Sequence, residues 1–179
     1  MNRIYDYSKI SESLRFSTLK KVAHSSSNRV TQADCVFWFG DLNFRLRSRK
    51  QLDALSSPKK EQKYTVDSYF DQLLIDDELT LERCKGMFTI YCFLGTIFEG
   101  FSEAYINFPP THKFVLGTND YVSNRIPSYT DRILYHESES DRIKPIKYDC
   151  LWEENSSDHK PVFGLFTMRV LDHQYQSVK

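Results

Sequence analysis

The chain has 179 residues, and its 24 Lys and Arg balance 24 Asp and Glu; at about 150 residues per domain this length points to one domain. The balanced charge excludes a nucleic-acid binder that works by net positive charge. An apolar share of 40% against 27% charged residues excludes a globally disordered chain. Aromatic residues reach 15%, which suits a β-rich core. The longest apolar run, Met87 to Phe98, is shorter than the ~20 residues of a membrane span. Charged residues run through the N-terminal segment, so no signal peptide is read. Cys35, Cys84, Cys92 and Cys150 form no Cys-x-x-Cys pair and read as reduced thiols of a cytoplasmic protein.

In chain order, Tyr7, Ile10 and Leu14 predict an amphipathic helix from Tyr5 to Leu19. The polar stretch from Ala23 to Gln32 predicts a loop. Cys35 to Phe39 is a short apolar run stopped by Gly40 and predicts a buried strand. Arg45 to Lys63 is basic and polar and reads as a solvated loop with some helix. Val66, Tyr69, Phe70, Leu73 and Leu74 repeat at helical spacing, which predicts a helix from Thr65 to Leu74. Asp76-Asp77-Glu78 opens a second short helix toward Cys84, with acids at its positive end. Met87 to Phe108 predicts β structure broken by Pro109-Pro110. Asp131 to Tyr135 and Pro161 to Val170 predict strands, with Val162, Gly164, Phe166 and Met168 on one face of the second. The tail beyond Leu171 reads as loose.

Three clusters carry chemistry. In Phe37-Trp38-Phe39-Gly40-Asp41-Leu42-Asn43-Phe44-Arg45 an apolar strand ends in Gly, and Asp41, Asn43 and Arg45 follow at spacing two. Extended backbone would point these three to one side. There they could supply a base, an amide donor and an anion partner, although Gly-Asp is equally ordinary turn chemistry. Arg125-Ile126-Pro127-Ser128-Tyr129-Thr130-Asp131-Arg132 precedes a strand, and its Asp131-Arg132 pair also reads as a surface ion pair. Ser157-Asp158-His159-Lys160-Pro161 precedes the last strand. Asp followed by His can bind a metal or carry a proton-linked charge, or form a polar turn.

Taken together, the three clusters resemble the signatures of the inositol polyphosphate 5-phosphatases, Mg²⁺-dependent phosphoesterases of the DNase I-like superfamily. Residues 36–45, 125–134 and 157–161 match in the family's order, and the wording is most similar to its type IV branch. The resemblance implies an α/β (α+β) fold, a DNase I-like four-layer β-sandwich flanked by helices, of which residues 1–170 would form part and 171–179 a tail. It implies hydrolysis of the 5-phosphate of phosphoinositides or inositol polyphosphates. In that reading Asp41 orients or deprotonates the attacking water, Asn43 positions the phosphate, and Asp131 holds His159, whose ring donates to a non-bridging oxygen. Asp158 sits on or near Mg²⁺. Lys113 and Arg125 grip the neighbouring 4-phosphate. Arg45 and Arg132 match signature arginines and are either structural or phosphate-facing. The partners implied are phosphoinositide headgroups or soluble inositol phosphates at a membrane periphery, in the cytoplasm, with no nucleic acid. A substrate change to DNA or sphingomyelin within the superfamily is disfavoured by the second signature.

The chain departs from the resemblance in several places. The match covers only the C-terminal part of the family's catalytic domain, and the metal-binding Glu of the first part has no counterpart here. Weak metal binding is therefore expected, and the alternative is a catalytically impaired fragment that still binds phosphoinositide. A sheet face without its cover is also expected. Met87 to Gly95 reads as an insertion or as a longer strand. The family's Pro-Thr-Tyr-Lys reads Pro110-Thr111-His112-Lys113, which implies a lost 4-phosphate contact.

Overall fold

A computed structural model describes residues 3–14, 30, 33–48, 66–88 and 97–170. The readings for most of the 23–32 loop, for 49–63, for the body of the 87–95 insertion and for the tail lie outside the described residues. Three helices and five strands make up the described chain: α1 Arg3–Ser13, β1 Cys35–Asp41, α2 Val66–Ile75, α3 Glu78–Phe88, β2 Phe101–Glu103, β3 Asp131–Glu137, β4 Ile143–Cys150 and β5 Val162–Met168. β1, β3 and β2 form an antiparallel sheet in that order, and β4 and β5 form an antiparallel pair. None of the described helices is long and apolar enough to cross a membrane.

Helix α1 stops earlier than its periodicity predicts. The Ser11 and Ser13 hydroxyls donate back to the Ser8 and Lys9 carbonyls, the local bonding by which serine weakens helices. Tyr7 anchors it, with its ring 5.3 Å from Trp38 and 4.3 Å from Phe98.

Strand β1 corrects the expectation of a buried strand ending at Phe39. It runs on through Gly40, at φ +131°, to Asp41. Its residues alternate: Trp38 packs edge-on against Phe98 and Phe101, while Phe39 on the opposite face is 70% exposed. Phe37, on that open face, leans on Phe166 of β5.

The β reading of Met87 to Phe108 is also corrected. Met87 and Phe88 end α3, Ile97 to Gly100 is a turn, and among the described residues of this stretch only Phe101–Glu103 is strand. An apolar run alone does not distinguish strand from other buried backbone. The positive φ of Phe98 and Gly100 makes the turn that delivers Phe101 to the sheet. Strand β4 carries no sequence signal: Lys144, Pro145, Ile146 and Lys147 face solvent, so alternation is missing, and the strand bulges between Pro145 and Lys147.

Two apolar clusters form the core. One gathers Leu73, Phe108, Tyr129 and Tyr148, the other Phe44, Leu79, Phe98 and Leu134. A buried ionic knot joins the α2–α3 corner to the sheet. Arg132 is 2% exposed and donates through Nε and Nη2 to both carboxylate oxygens of Glu103, at 2.7 and 2.8 Å, and through Nη1 to Asp77 at 2.8 Å. Tyr148 completes the knot: its hydroxyl donates to Glu103 at 3.1 Å and accepts the Ile133 amide at 3.0 Å. Burial, with Glu103 beside it, pushes the Tyr148 hydroxyl well above its ordinary pKa.

Candidate active site

The register of β1 on β3 sets Asp41 opposite Asp131. Opposed residues in an antiparallel pair share a face, so the first and second signatures put both carboxylates on one side of one sheet edge. Asp131 is held tightly. Its Oδ2 accepts the hydroxyls of Thr130 at 2.8 Å and Thr111 at 3.0 Å and lies 2.9 Å from Nδ1 of His159. A carboxylate only accepts, so His159 donates through Nδ1, and its Nε2 is left for chemistry. The His159 amide donates to Ser157 Oγ at 3.1 Å, which shapes the turn that delivers the ring. The first and third signatures therefore meet at Asp131 of the second.

Asn43 does not reach the site by strand alternation. Its φ is +61°, its amide donates to Asp41 Oδ1 at 2.9 Å, and its carbonyl accepts Arg3 Nη1 at 2.6 Å. This is an Asx-type turn, so the turn reading and the site reading of Gly40–Asn43 hold together. Asn43 Oδ1 accepts both Nε (3.0 Å) and Nη2 of Arg45, which leaves the amide NH₂ of Asn43 as its remaining donor. Arg45 Nη1 lies 2.6 Å from His112 Nδ1. All three guanidinium nitrogens thus contact neighbouring side chains of the site. Burial lowers the Arg45 pKa, and the positive charges of Arg3 and Arg125 add to the effect against Asp41.

His112 is a site residue that motif reading placed only as a departure. Its backbone pairs with Ser128, with N–H···O distances of 3.2 and 2.6 Å. Its ring centroid is 4.3 Å from that of His159. Burial, aided by the charges of His159 and Arg45, lowers its pKa to about 4. Thr111 and Thr130 were likewise visible only as letters of the signatures, because nothing in their spacing marks them as Asp131 donors.

Lys113 Nζ sits 2.8 Å from Asp158 Oδ2, and this hydrogen bond holds the Asp158 carboxyl below the ordinary range. Ligand atoms of His112, Asp158 and His159 lie within 4.8 Å of one another. A hard divalent cation takes oxygen ligands and is commonly bound by one or two carboxylates, completed by water and phosphate oxygens. Asp158 fits that role, whereas the two imidazoles suit softer metals and have Nδ1 committed to Arg45 and Asp131. Arg125 is exposed. Of the two roles open to Arg132, the structural one fits its position, because its guanidinium lies in the ionic knot under the sheet. Lys160 is fully buried and donates to Asn119 Oδ1 at 2.6 Å, the Glu154 carbonyl at 3.0 Å and Asn155 Oδ1. It clamps the two loops that carry Lys113 and Asp158. A cavity of about 250 Å³ opens beside His159 and Asp131, walled by Phe39, Gly40, Ser157 and Val162.

The chain is 39% identical over 176 residues to phosphatidylinositol polyphosphate 5-phosphatase type IV of Mus musculus, an alignment that covers 94% of the chain and 25% of that protein. It superposes on the inositol polyphosphate 5-phosphatase domain of spSynaptojanin, solved with inositol (1,4)-bisphosphate and calcium, with a TM-score of 0.68 at 28% identity; 92% of the chain and 41% of that domain are covered. It also resembles a Cimex nitrophorin solved as a ferrous NO complex, with a TM-score of 0.57 at 29% identity over 80% of the chain and 43% of that protein. The fold alone therefore does not decide the activity. The chain spans about a quarter of the mouse relative's length. The α+β DNase I-like architecture is the one the motifs implied, and the family described as Endonuclease/Exonuclease/phosphatase family 2 matches residues 1–165. With that match over most of its length, the chain belongs to this phosphoesterase family.

Proposed function

We propose that this chain carries the chemistry of an inositol polyphosphate 5-phosphatase, which removes the 5-phosphate from phosphoinositides or soluble inositol polyphosphates with Mg²⁺. The observation that carries the reading is the Asp131–His159 contact of 2.9 Å on the sheet edge that also bears Asp41. Asp41 orients the attacking water and accepts its proton as oxygen bonds to phosphorus. The Asn43 amide and, in the imidazolium form, the Nε2–H of His159 donate to non-bridging phosphate oxygens, with Asp131 holding the Nδ1–H and keeping the ring aimed. The P–O ester bond breaks, and the inositol oxygen leaves as a hydroxyl after taking a proton from solvent. Lys113 and Arg125 hold a neighbouring phosphate, Lys as a point charge and Arg as a fork. Asp158 would hold the Mg²⁺, which when bound neutralises charge on the phosphate and leaving oxygens. Relatives are named for phosphatidylinositol polyphosphate substrates, and the same reading has the chain act at membrane peripheries in the cytoplasm.

The test uses the purified chain with inositol 1,4,5-trisphosphate and Mg²⁺. The expected products are the 1,4-bisphosphate and inorganic phosphate, with turnover lost in Asp41→Ala and the Mg²⁺ requirement raised about tenfold or more in Asp158→Ala. Loss of a different phosphate, or full turnover by Asp41→Ala, would overturn the reading.

A further inference from the structure

We propose that Arg45 locks His112 in the tautomer with its hydrogen on Nε2, making that N–H a second donor, beside His159, to a single phosphate group in the cleft. The ligand class rests on the function proposed above; the tautomer does not.

Arg45 has donors and no acceptor, so its 2.6 Å contact with His112 Nδ1 requires a lone pair on that nitrogen. A neutral imidazole with a lone pair on Nδ1 carries its hydrogen on Nε2. A protonated ring would set two donors against each other at 2.6 Å. The ring is not free to turn away, because the His112 backbone is bonded to Ser128 in both directions and the side chain is buried. Arg45 is pinned in turn by two bonds to Asn43 Oδ1.

The remaining nitrogen is placed for use. Among the described residues, the buried side-chain atoms left without a partner are Asp77 Oδ1 and Arg142 Nε, so His112 Nε2 is not sealed away unsatisfied. The His112 and His159 rings are 4.3 Å apart, and a ring nitrogen of each lies within 4.8 Å of the other and of an Asp158 oxygen. With the rings this close, an N–H of each can serve two oxygens of one tetrahedral phosphate. Lys113 offsets the nearby Asp158 charge at 2.8 Å, so an anion is not repelled.

The test is a long-range ¹H–¹⁵N correlation spectrum of the full chain labelled at histidine, with inorganic phosphate as the probe. The expected result is an Nε2–H pattern for His112, assigned by its loss in His112→Gln, and phosphate-induced shifts at His112 and His159 that share one binding curve. An Nδ1–H pattern, or a shift confined to His159, would overturn the proposal. The kinetic arm compares two variants on inositol 1,4,5-trisphosphate. His112→Gln can accept from Arg45 and still donate, and should lose less kcat/KM than His112→Phe. His112→Phe keeps the ring but not the donor, and should raise KM at least tenfold; parental kinetics for it would count against the donor role. An Nε2–H tautomer that responds to phosphate in a chain without hydrolysis would reject the enzyme reading and leave this inference standing.

Discussion

Asp131 and Arg132 are neighbours in the chain and face opposite sides of β3. Asp131 turns to His159 in the cleft, while Arg132 turns inward to Asp77 and Glu103. The strand's period of two thus divides one signature into a chemical half and a structural half.

The structural half predicts a stability effect. Arg132→Ala removes the guanidinium from Asp77, which is fully buried, and from Glu103. Removing one member of a buried ionic cluster costs about 3–5 kcal/mol. Urea denaturation should show a midpoint shift of that size. A shift under about 1 kcal/mol would mean the knot contributes little.

The chemical half predicts a loss of rate at little cost in fold. Asp131→Asn keeps the shape but exchanges an acceptor oxygen for a donor amide at His159, so the imidazole loses its anchor. Phosphate release should fall about 100-fold, with circular dichroism unchanged. A variant with parental turnover would remove Asp131 from the mechanism.

The depressed pKa of His112 predicts an acid sensitivity. Its folded pKa of about 4 lies below the ordinary value of about 6.5, so between these values the unfolded chain binds the extra proton. Stability therefore increases with pH across that window and is lost as pH falls from about 6.5 toward about 4. Denaturation at pH 7 and pH 5 should show a smaller pH effect in His112→Gln than in the parent. Equal pH effects would contradict the burial of a neutral ring.

Lys160 lies in the third signature and acts as a clamp. Lys160→Met leaves Asn119, Asn155 and the Glu154 carbonyl without their donor. The expected cost is about 1–3 kcal/mol, together with faster hydrogen exchange at 114–120 and 153–158. Unchanged exchange in both segments would show that the loops hold without it.

The sequence made legible the parts whose pattern is local. The periodicity of Val66 to Leu74 and the apolar run before Gly40 located α2 and β1, and three signatures named Asp41, Asn43, Asp131 and His159. What it hid depends on long-range pairing. Only the β1–β3 register puts Asp41 opposite Asp131, and only a left-handed Asn43 brings Arg45 round to His112. Strand β4 was hidden because its exposed lysines and proline erase alternation, and the 97–100 turn because apolar residues fill it.

In the proposed function the Asp131–His159 pair acts on a phosphate ester. The most direct measurement is the initial rate of phosphate release from inositol 1,4,5-trisphosphate by the purified chain and by His159→Ala, at saturating Mg²⁺. The account predicts release by the parent and a fall of at least about 100-fold in the variant. Equal rates in the two proteins, or none in the parent, would contradict it.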